Sequence, residues 1–334
     1  MQHASSGNSL ALGGSAFGRR TFGARALLRD WRAPDGWPLR TMTCLPEGAA
    51  RGTIVFLNGR ADFIEKYLES YGAFLDWGYG VATLDWRGQG LSGRLGDHPH
   101  KGHQTDFDTL VRDLAGWIDD LAREMPQPLY LVAHSMGAHI ALRYLAEHPG
   151  IISRAVLLAP MFGIRTGGIP SPVTKRLARW LVNRGQAGEF APTQKPHGSW
   201  QSSPLRQNAL TSDLERFADE VWWTQSNPAL MLGGVTNGWL NAAFQSLDRL
   251  HAPGYLQAVK TPVLILLPEL EQVVDPVAAR HVAAQLPNCR LAVISGGRHE
   301  LLREADTVRQ ETLAHVRAAI EGAKGAGAEG PVHD

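Results

Sequence analysis

Residues 129–137 read Leu-Tyr-Leu-Val-Ala-His-Ser-Met-Gly, and this stretch decides which fold the chain adopts. An apolar run of strand length leads to Ser135, and a helical pattern begins at Met136. A serine at a sharp strand-to-helix turn is presented as a nucleophile, provided that the residues two before and two after it are small. Ala133 and Gly137 meet that condition. We therefore predict that Ser135 is a nucleophile; the alternative is a serine that caps a helix.

Apolar runs and helical patterns alternate on both sides of this turn. Strands are predicted at residues 27–31, 39–44, 53–57, 81–84, 129–133, 155–159, 263–267 and 291–294. Helices are predicted at residues 62–77, 107–124, 136–147, 276–286 and 305–320. Because nearly continuous apolar strands that alternate with helices are typical of sheets buried on both faces, we predict an α/β fold. Its sheet is mostly parallel and flanked by helices, and the first two strands form an antiparallel hairpin.

The alternation stops between residues 162 and 254, a stretch rich in Pro, Gly and Trp with helical patterns. We interpret it as a helical cap inserted above the carboxyl edge of the sheet, where open α/β sheets place their sites. The first part of the core then covers residues 27–161, and the second part covers residues 255–321. The segments 1–26 and 322–334 have low-complexity composition and are predicted to be disordered.

Composition and charge exclude several classes of function. The chain has 334 residues and a formal net charge of +1, which gives no argument for a nucleic-acid partner. Neither a phosphate-binding loop nor a dinucleotide fingerprint is present, so no cofactor is expected. His98, His100 and His103 lack an acidic residue at matching spacing, so no metal is expected. No run is apolar enough for a transmembrane helix and no apolar leader follows Arg20, so the expected location is cytoplasmic.

A serine nucleophile needs a base to take its proton. In α/β folds that present a serine on such a turn, the acid and then the histidine follow the serine along the chain. His299 lies in a glycine-rich loop after the last predicted strand, and we predict that it is the general base. The acid is expected in the loop at 268–275, where Glu271 is favoured and Asp275 is the alternative. Its role is to accept the imidazole N–H and to stabilise the imidazolium.

Acyl transfer also requires an oxyanion hole, which two backbone N–H groups supply. One donor is expected from Met136, directly after the serine. The other is expected from the loop that follows the strand at 53–57, and Arg60 is the candidate.

Several sequence blocks together resemble one known group of enzymes. The blocks are NGRADFIEKY at 58–67, DWRGQGLS at 85–92, AHSMG at 133–137, LTSDLER at 210–216 and GRHELL at 297–302. The chain from about residue 31 to 320 resembles the monoacylglycerol lipase and bacterial lysophospholipase branch of the α/β-hydrolases, which is also labelled serine-aminopeptidase-like. Asn58 and Ala133 depart from the usual histidine and glycine. The family's aspartate position falls on Glu271, which keeps Asp275 open as the acid.

The resemblance implies an α/β-hydrolase fold and a cofactor-independent carboxylic-ester hydrolase that acts through an acyl-enzyme. It implies a lysophospholipid or a monoacylglycerol as substrate. A peptidase, thioesterase or lactonase with the same triad is an alternative, as is a non-catalytic binding protein of this fold. The oligomeric state is left open.

A basic amphipathic segment in the cap suggests one further partner. It combines basic with apolar side chains, which are Val173, Lys175, Arg176, Leu177, Arg179, Trp180, Leu181 and Arg184. Such a helix either contacts an anionic membrane surface or packs its apolar face against the cap.

Overall fold

The structure is a computed structural model that describes residues 17–322. Its strands are β1 Leu27–Arg32, β2 Pro38–Cys44, β3 Thr53–Leu57, β4 Gly80–Leu84, β5 Leu129–His134, β6 Ile152–Leu158, β7 Val263–Pro268 and β8 Cys289–Ile294. Within the described residues, these strands form one eight-stranded sheet in the order β1-β2-β4-β3-β5-β6-β7-β8. The pairs β1/β2 and β2/β4 are antiparallel, and the other neighbours are parallel. The mostly parallel sheet and its leading hairpin are therefore confirmed.

Helices cover both faces of this sheet. The helices of the described residues are α1 Leu68–Asp76, α2 Asp108–Glu124, α3 Met136–Glu147, α4 Ser171–Asn183, α5 Pro204–Leu210, α6 Leu214–Ser226, α7 Asn237–Leu250, α8 Pro276–Gln285 and α9 Asp306–Glu321. Of these, α1, α2, α3, α8 and α9 pack against the two faces of the sheet. The helix predicted at 62–77 starts later than expected, as a 3-10 turn at Ile64–Tyr67 that continues into α1. The reason is local, because the Asp62 carboxylate accepts the Gly59 N–H at 2.8 Å and so stabilises a loop.

The central strands are buried on both faces, as their apolar sequences require. Val55 and Leu57 of β3 belong to a core formed with α2, α3 and α8, whereas Ile54 and Phe56 belong to a second core formed with α1 and α9. All residues of β3 are buried. Because β3 and β5 are adjacent and parallel, the loops that follow them meet at the carboxyl edge of the sheet.

Residues 162–254, which we call the cap, leave the sheet after β6 and return to it before β7, and they contain α4 to α7. Trp239 and Ala243 of α7 join the core on one face of the sheet. Two hydrogen bonds tie the cap to the loop after β8: Glu300 N–H donates to Leu210 O at 2.8 Å, and the Thr211 hydroxyl donates to Arg303 O at 2.7 Å. The cap therefore lies at the carboxyl edge of the sheet.

Residues 17–26 differ from the disorder predicted for the segment 1–26. The Phe17 ring packs edge-on against Tyr71 at 6.4 Å, and Phe22 packs against Trp223 at 6.2 Å. Contacts with α1 and α6 thus hold this short segment in place. The rest of that prediction, for residues 1–16, lies outside the described residues, as does the tail from residue 323 onward.

Candidate active site

Ser135 lies on a sharp turn between β5 and α3. Its backbone has φ 52° and ψ −116°, a left-handed conformation that a residue with a side chain adopts only under strain. The turn is this tight because α3 starts directly beneath the end of β3. A Cβ atom at Gly137 would lie 2.4 Å from the carbonyl oxygen of Asn58, so only glycine fits there. The strand-to-helix turn expected from the sequence is therefore present.

His299 lies between Ser135 and Glu271. Its Nε2 is 3.0 Å from Ser135 Oγ, and its Nδ1 is 2.8 Å from Glu271 Oε2. The exposed fractions are 7% for Ser135, 4% for His299 and 7% for Glu271. A carboxylate accepts hydrogen bonds only, so Nδ1–H donates to Glu271, and Nε2 of the neutral imidazole accepts the serine hydroxyl proton. The fold thus brings together three side chains from the ends of β5, β7 and β8.

The electrostatics of this group favour an ionised carboxylate beside the imidazole. Burial acts to raise the pKa of Glu271, but His299 and the N–H groups of Val273 and Val274 outweigh it and hold the pKa below its usual value. Those two amides donate to Glu271 Oε1 at 2.6 and 3.1 Å. Burial acts to lower the pKa of His299, but the neighbouring Glu271 outweighs it and raises the pKa.

Asp275 and Glu269, the other carboxylates of the loop after β7, have different partners. Asp275 caps α8, because its Oδ1 accepts the N–H groups of Val277 at 2.9 Å and Ala278 at 3.4 Å. Glu269 accepts the Gly296 N–H at 2.7 Å. In the described residues, the structure therefore brings Glu271 rather than Asp275 to His299.

Two backbone amides near Ser135 were predicted to form an oxyanion hole. Met136 is the first residue of α3, so its N–H has no acceptor in the preceding turn. Arg60 follows Gly59, where a Cβ atom would lie 3.2 Å from Ser135 Cβ. Within residues 17–322, neither the Arg60 N–H nor the Met136 N–H is seen to donate to a protein acceptor. That both amides form the oxyanion hole stays a prediction.

The serine and histidine open into a cavity of about 640 Å³ between the core and the cap. The cap contributes apolar side chains to the wall, among them Trp200, Leu210 and Leu232. A cavity of this size, in which apolar side chains lie beside several polar and charged ones, is large enough for a small-molecule ligand.

One group of buried charges beside the site was missed in the sequence. Lys66 Nζ contacts Asp62 Oδ1 at 2.6 Å, Glu300 Oε1 at 2.6 Å and Glu220 Oε2 at 2.9 Å. Glu220 also binds Arg206 at 2.6 Å, while Arg303 binds both Glu220 and Glu300. We call these six residues the buried ion network. The spacing of Asp62 and Lys66 by one helical turn could have predicted that one ion pair. The other pairs could not be predicted in this way, because Arg206 and Glu220 belong to the cap and are distant in sequence.

The three histidines considered for a metal make other contacts. His103 Nδ1 lies 2.8 Å from Thr236 Oγ1, and the rings of His98 and His100 pack edge to face at 5.3 Å. In the part of the chain that the structure describes, no group of three or more candidate metal ligands comes together.

Among the described residues, no helix is both long enough and apolar enough to span a bilayer. The cytoplasmic location stays a prediction.

A strained serine after a central parallel strand, a histidine after the last strand and an inserted helical cap define the α/β-hydrolase class of proteins. The sequence comparison then gives the family. A family model described as serine aminopeptidase, S33, matches residues 48–306, and the chain belongs to this family.

Two relatives are lysophospholipases. The chain is 36% identical over 272 residues to the probable lysophospholipase L2 of Haemophilus influenzae, which covers 81% of this chain and 84% of the relative. It is 32% identical over 273 residues to lysophospholipase L2 of Escherichia coli K12, which covers 78% of this chain and 77% of the relative. A solved structure of a soluble monoglyceride lipase variant from Saccharomyces cerevisiae has the same fold, with a TM-score of 0.71, 19% identity and coverage of 92% and 99% of the two chains. The chain is a carboxylic-ester hydrolase with the α/β-hydrolase fold.

Proposed function

We propose that the chain hydrolyses acyl-lipid esters through a covalent acyl-enzyme, with Ser135 as nucleophile, His299 as general base and Glu271 as the acid of the triad. The observation that carries this proposal is the continuous hydrogen-bonded path from Glu271 through His299 to Ser135. That path ends at the wall of the cavity between core and cap.

In the proposed reaction, Ser135 Oγ forms a bond to the acyl carbon while its proton passes to His299 Nε2. The carbonyl oxygen gains negative charge and accepts hydrogen bonds from the N–H groups of Arg60 and Met136. The imidazolium then gives its proton to the leaving alcohol as the ester bond breaks. Water attacks the acyl-enzyme by the same route, which releases the fatty acid and restores the serine.

A lysophospholipid or a monoacylglycerol is the proposed substrate. The names of the relatives, lysophospholipase L2 and monoglyceride lipase, support this choice. The cavity supports it as well, because apolar cap residues such as Trp200 and Leu232 face the same space as Ser135.

Two assays on matched serine variants test the triad. Wild-type protein should hydrolyse p-nitrophenyl butyrate and react with a fluorophosphonate probe, whereas Ser135→Ala should lose about 10⁴-fold in kcat and all labelling. The control is Ser199→Ala, a change at an exposed cap serine that does not line the cavity and should leave both signals intact. Equal labelling of the wild type and Ser135→Ala would refute the proposal and favour a non-catalytic binding protein.

A panel of substrates distinguishes ester hydrolysis from the other reactions that the same triad could catalyse. The panel contains amino-acid arylamides, acyl thioesters and lactones, together with lysophospholipids and monoacylglycerols of equal acyl length. We expect the highest kcat/KM on one of the two acyl-lipid esters. A higher kcat/KM on the arylamides would reassign the site to a peptidase.

We also propose that α4 contacts an anionic membrane surface. The exposed fraction is 50% for Val173, 40% for Leu177 and 49% for Trp180. These apolar side chains of α4 are therefore accessible to solvent. Basic residues such as Arg176 and Arg179 lie on the same helix. Leu177→Ser with Trp180→Ser should weaken co-sedimentation with phosphatidylglycerol vesicles, while Leu205→Ser, a change at a cap leucine of α5 that is 73% exposed, should not. Equal sedimentation of all variants would exclude this contact.

A further inference from the structure

The cavity that contains Ser135 carries charges that do not all pair within the protein. Four charged residues of its wall belong to the buried ion network: Asp62, Lys66, Arg206 and Glu300. That network contains the three carboxylates of Asp62, Glu220 and Glu300 and the three cations of Lys66, Arg206 and Arg303. It is therefore neutral by itself, and it gives the cavity no net charge.

Among the described residues, Arg60 is one of two cations in the cavity wall that do not belong to this network. Two of its N–H groups donate to one neutral acceptor, Gly233 O, at 3.0 and 3.1 Å. Among residues 17–322, no carboxylate lies within ion-pair distance of its guanidinium. Burial, with repulsion from Arg206, lowers the pKa of Arg60 to about 10 despite the attraction of Asp62. The residue stays charged at neutral pH, and a guanidinium has five N–H donors, so it retains donors for a ligand.

The position of Arg60 places this charge beside the proposed chemistry. The preceding residue, Gly59, packs against Ser135. The side chain of Arg60 extends from the core to the cap, where it donates to Gly233 O. Lys195, an exposed cap residue, lines the same cavity and adds a second cation. The wall of this cavity therefore carries net positive charge beside apolar cap side chains such as Trp200 and Leu232.

We propose that the guanidinium of Arg60, assisted by Lys195, binds the phosphate of a lysophospholipid and so favours this substrate over a neutral monoacylglycerol. The inference rests on the proposed function, because the phosphate is useful only when the ester is at Ser135. A lysophospholipid fits, since its phosphate and its scissile ester lie at opposite ends of one three-carbon glycerol unit. A guanidinium suits this role because its planar fork matches phosphate oxygens.

A fatty-acid carboxylate is the other anion that the reaction provides. It forms at the acyl carbon itself and faces the oxyanion amides, whereas the phosphate belongs to the leaving group. The two sources are separated by testing glycerol 3-phosphate and butyrate as inhibitors. Glycerol, which has the same carbon skeleton without the charge, is the control ligand.

The first experiment compares kcat/KM for 1-palmitoyl lysophosphatidylglycerol and 1-monopalmitoylglycerol in the same detergent micelles. The wild type should prefer the lysophospholipid, and Arg60→Met should reduce the ratio of the two values about tenfold or more. Arg60→Lys should retain part of the preference, since it keeps the charge but loses the fork. Arg112→Gln, which removes an exposed cation on α2 outside the cavity, should leave the ratio unchanged. An equal ratio in the wild type and Arg60→Met would overturn the inference.

The second experiment needs only the folded wild type and one variant. Glycerol 3-phosphate should inhibit p-nitrophenyl butyrate hydrolysis competitively, and about tenfold more weakly in Arg60→Met, while glycerol should not inhibit. Inhibition by butyrate but not by glycerol 3-phosphate would assign Arg60 to the product carboxylate and overturn the inference. If the wild type does not hydrolyse p-nitrophenyl butyrate at all, the proposed function itself fails, which is a separate outcome.

Discussion

His134 Nε2 donates a hydrogen bond to the main-chain carbonyl oxygen of His299 over 3.1 Å. The residue before the proposed nucleophile therefore holds the backbone of the proposed base. The two imidazole rings lie 4.8 Å apart, and the other nitrogen of His134 lies 3.0 Å from the Tyr67 hydroxyl. This contact joins the residue next to Ser135 to the main chain of His299, whose Nε2 lies 3.0 Å from Ser135 Oγ.

We expect His134→Leu to lower kcat about tenfold with little change in KM, because the His299 carbonyl loses its buried donor and the imidazole is less well oriented. His134→Gln, whose side-chain amide replaces the Nε2–H donor, should recover most of that loss. Steady-state kinetics with p-nitrophenyl butyrate measure both. A rise in KM with unchanged kcat, or no recovery of kcat in His134→Gln, would mean that His134 has only a packing role.

Replacing Glu271 or Asp275 by its amide should have different effects on kcat. Glu271→Gln removes the carboxylate that accepts His299 Nδ1–H, so we expect kcat to fall about 10³- to 10⁴-fold. Asp275→Asn keeps an acceptor oxygen for the N-cap of α8, so we expect little loss of stability and nearly full activity. Turnover and urea unfolding of both variants decide between them. A larger loss of activity in Asp275→Asn would reverse the assignment of the acid.

The raised pKa of His299 predicts a pH dependence with a definite sign. The imidazole must be neutral to accept the Ser135 proton, so kcat/KM should rise with pH through a pKa above that of an ordinary histidine. The stability effect has the opposite sign: this contribution is present below the unfolded histidine pKa and is lost as pH rises through the folded pKa. NMR titration of His299 in Ser135→Ala, with and without Glu271→Gln, measures the shift directly. Removing the carboxylate should lower the pKa, and an unchanged value would contradict the proposed cause.

The buried ion network predicts an unequal response to the loss of two lysines. Lys66→Met leaves three buried carboxylates with two cations, which should cost about 3–5 kcal/mol of unfolding free energy. Lys175→Met removes an exposed partner of Asp248 and should cost about 0–1 kcal/mol. Urea unfolding measured under identical conditions compares them. Similar losses in the two variants would show that the network contributes no special stability.

Sequence patterns predicted the sheet well because its strands are buried on both faces, as the all-apolar run of β3 indicates. They also predicted Ser135 and His299 as neighbours, since parallel strands end at one edge. The sequence favoured Glu271 but left Asp275 open, because the choice depends on the conformation of a loop in which the Val274 N–H donates to Glu271. The partners of Lys66 were missed for a similar reason, since Glu220 belongs to the cap and no local pattern links them.

Gly137 provides the most direct test of the turn that presents Ser135. A Cβ atom there would lie 2.4 Å from Asn58 O and 2.6 Å from Leu57 O, both of which are main-chain atoms that cannot rotate away. We expect Gly137→Ala to lose at least about 1–3 kcal/mol of stability and, because α3 must shift, most of its labelling by the fluorophosphonate probe. Gly188→Ala is the matched control, because no atom lies within 4 Å of its added Cβ. If Gly137→Ala melted and labelled like Gly188→Ala, α3 would not begin as close to β3 as the structure places it.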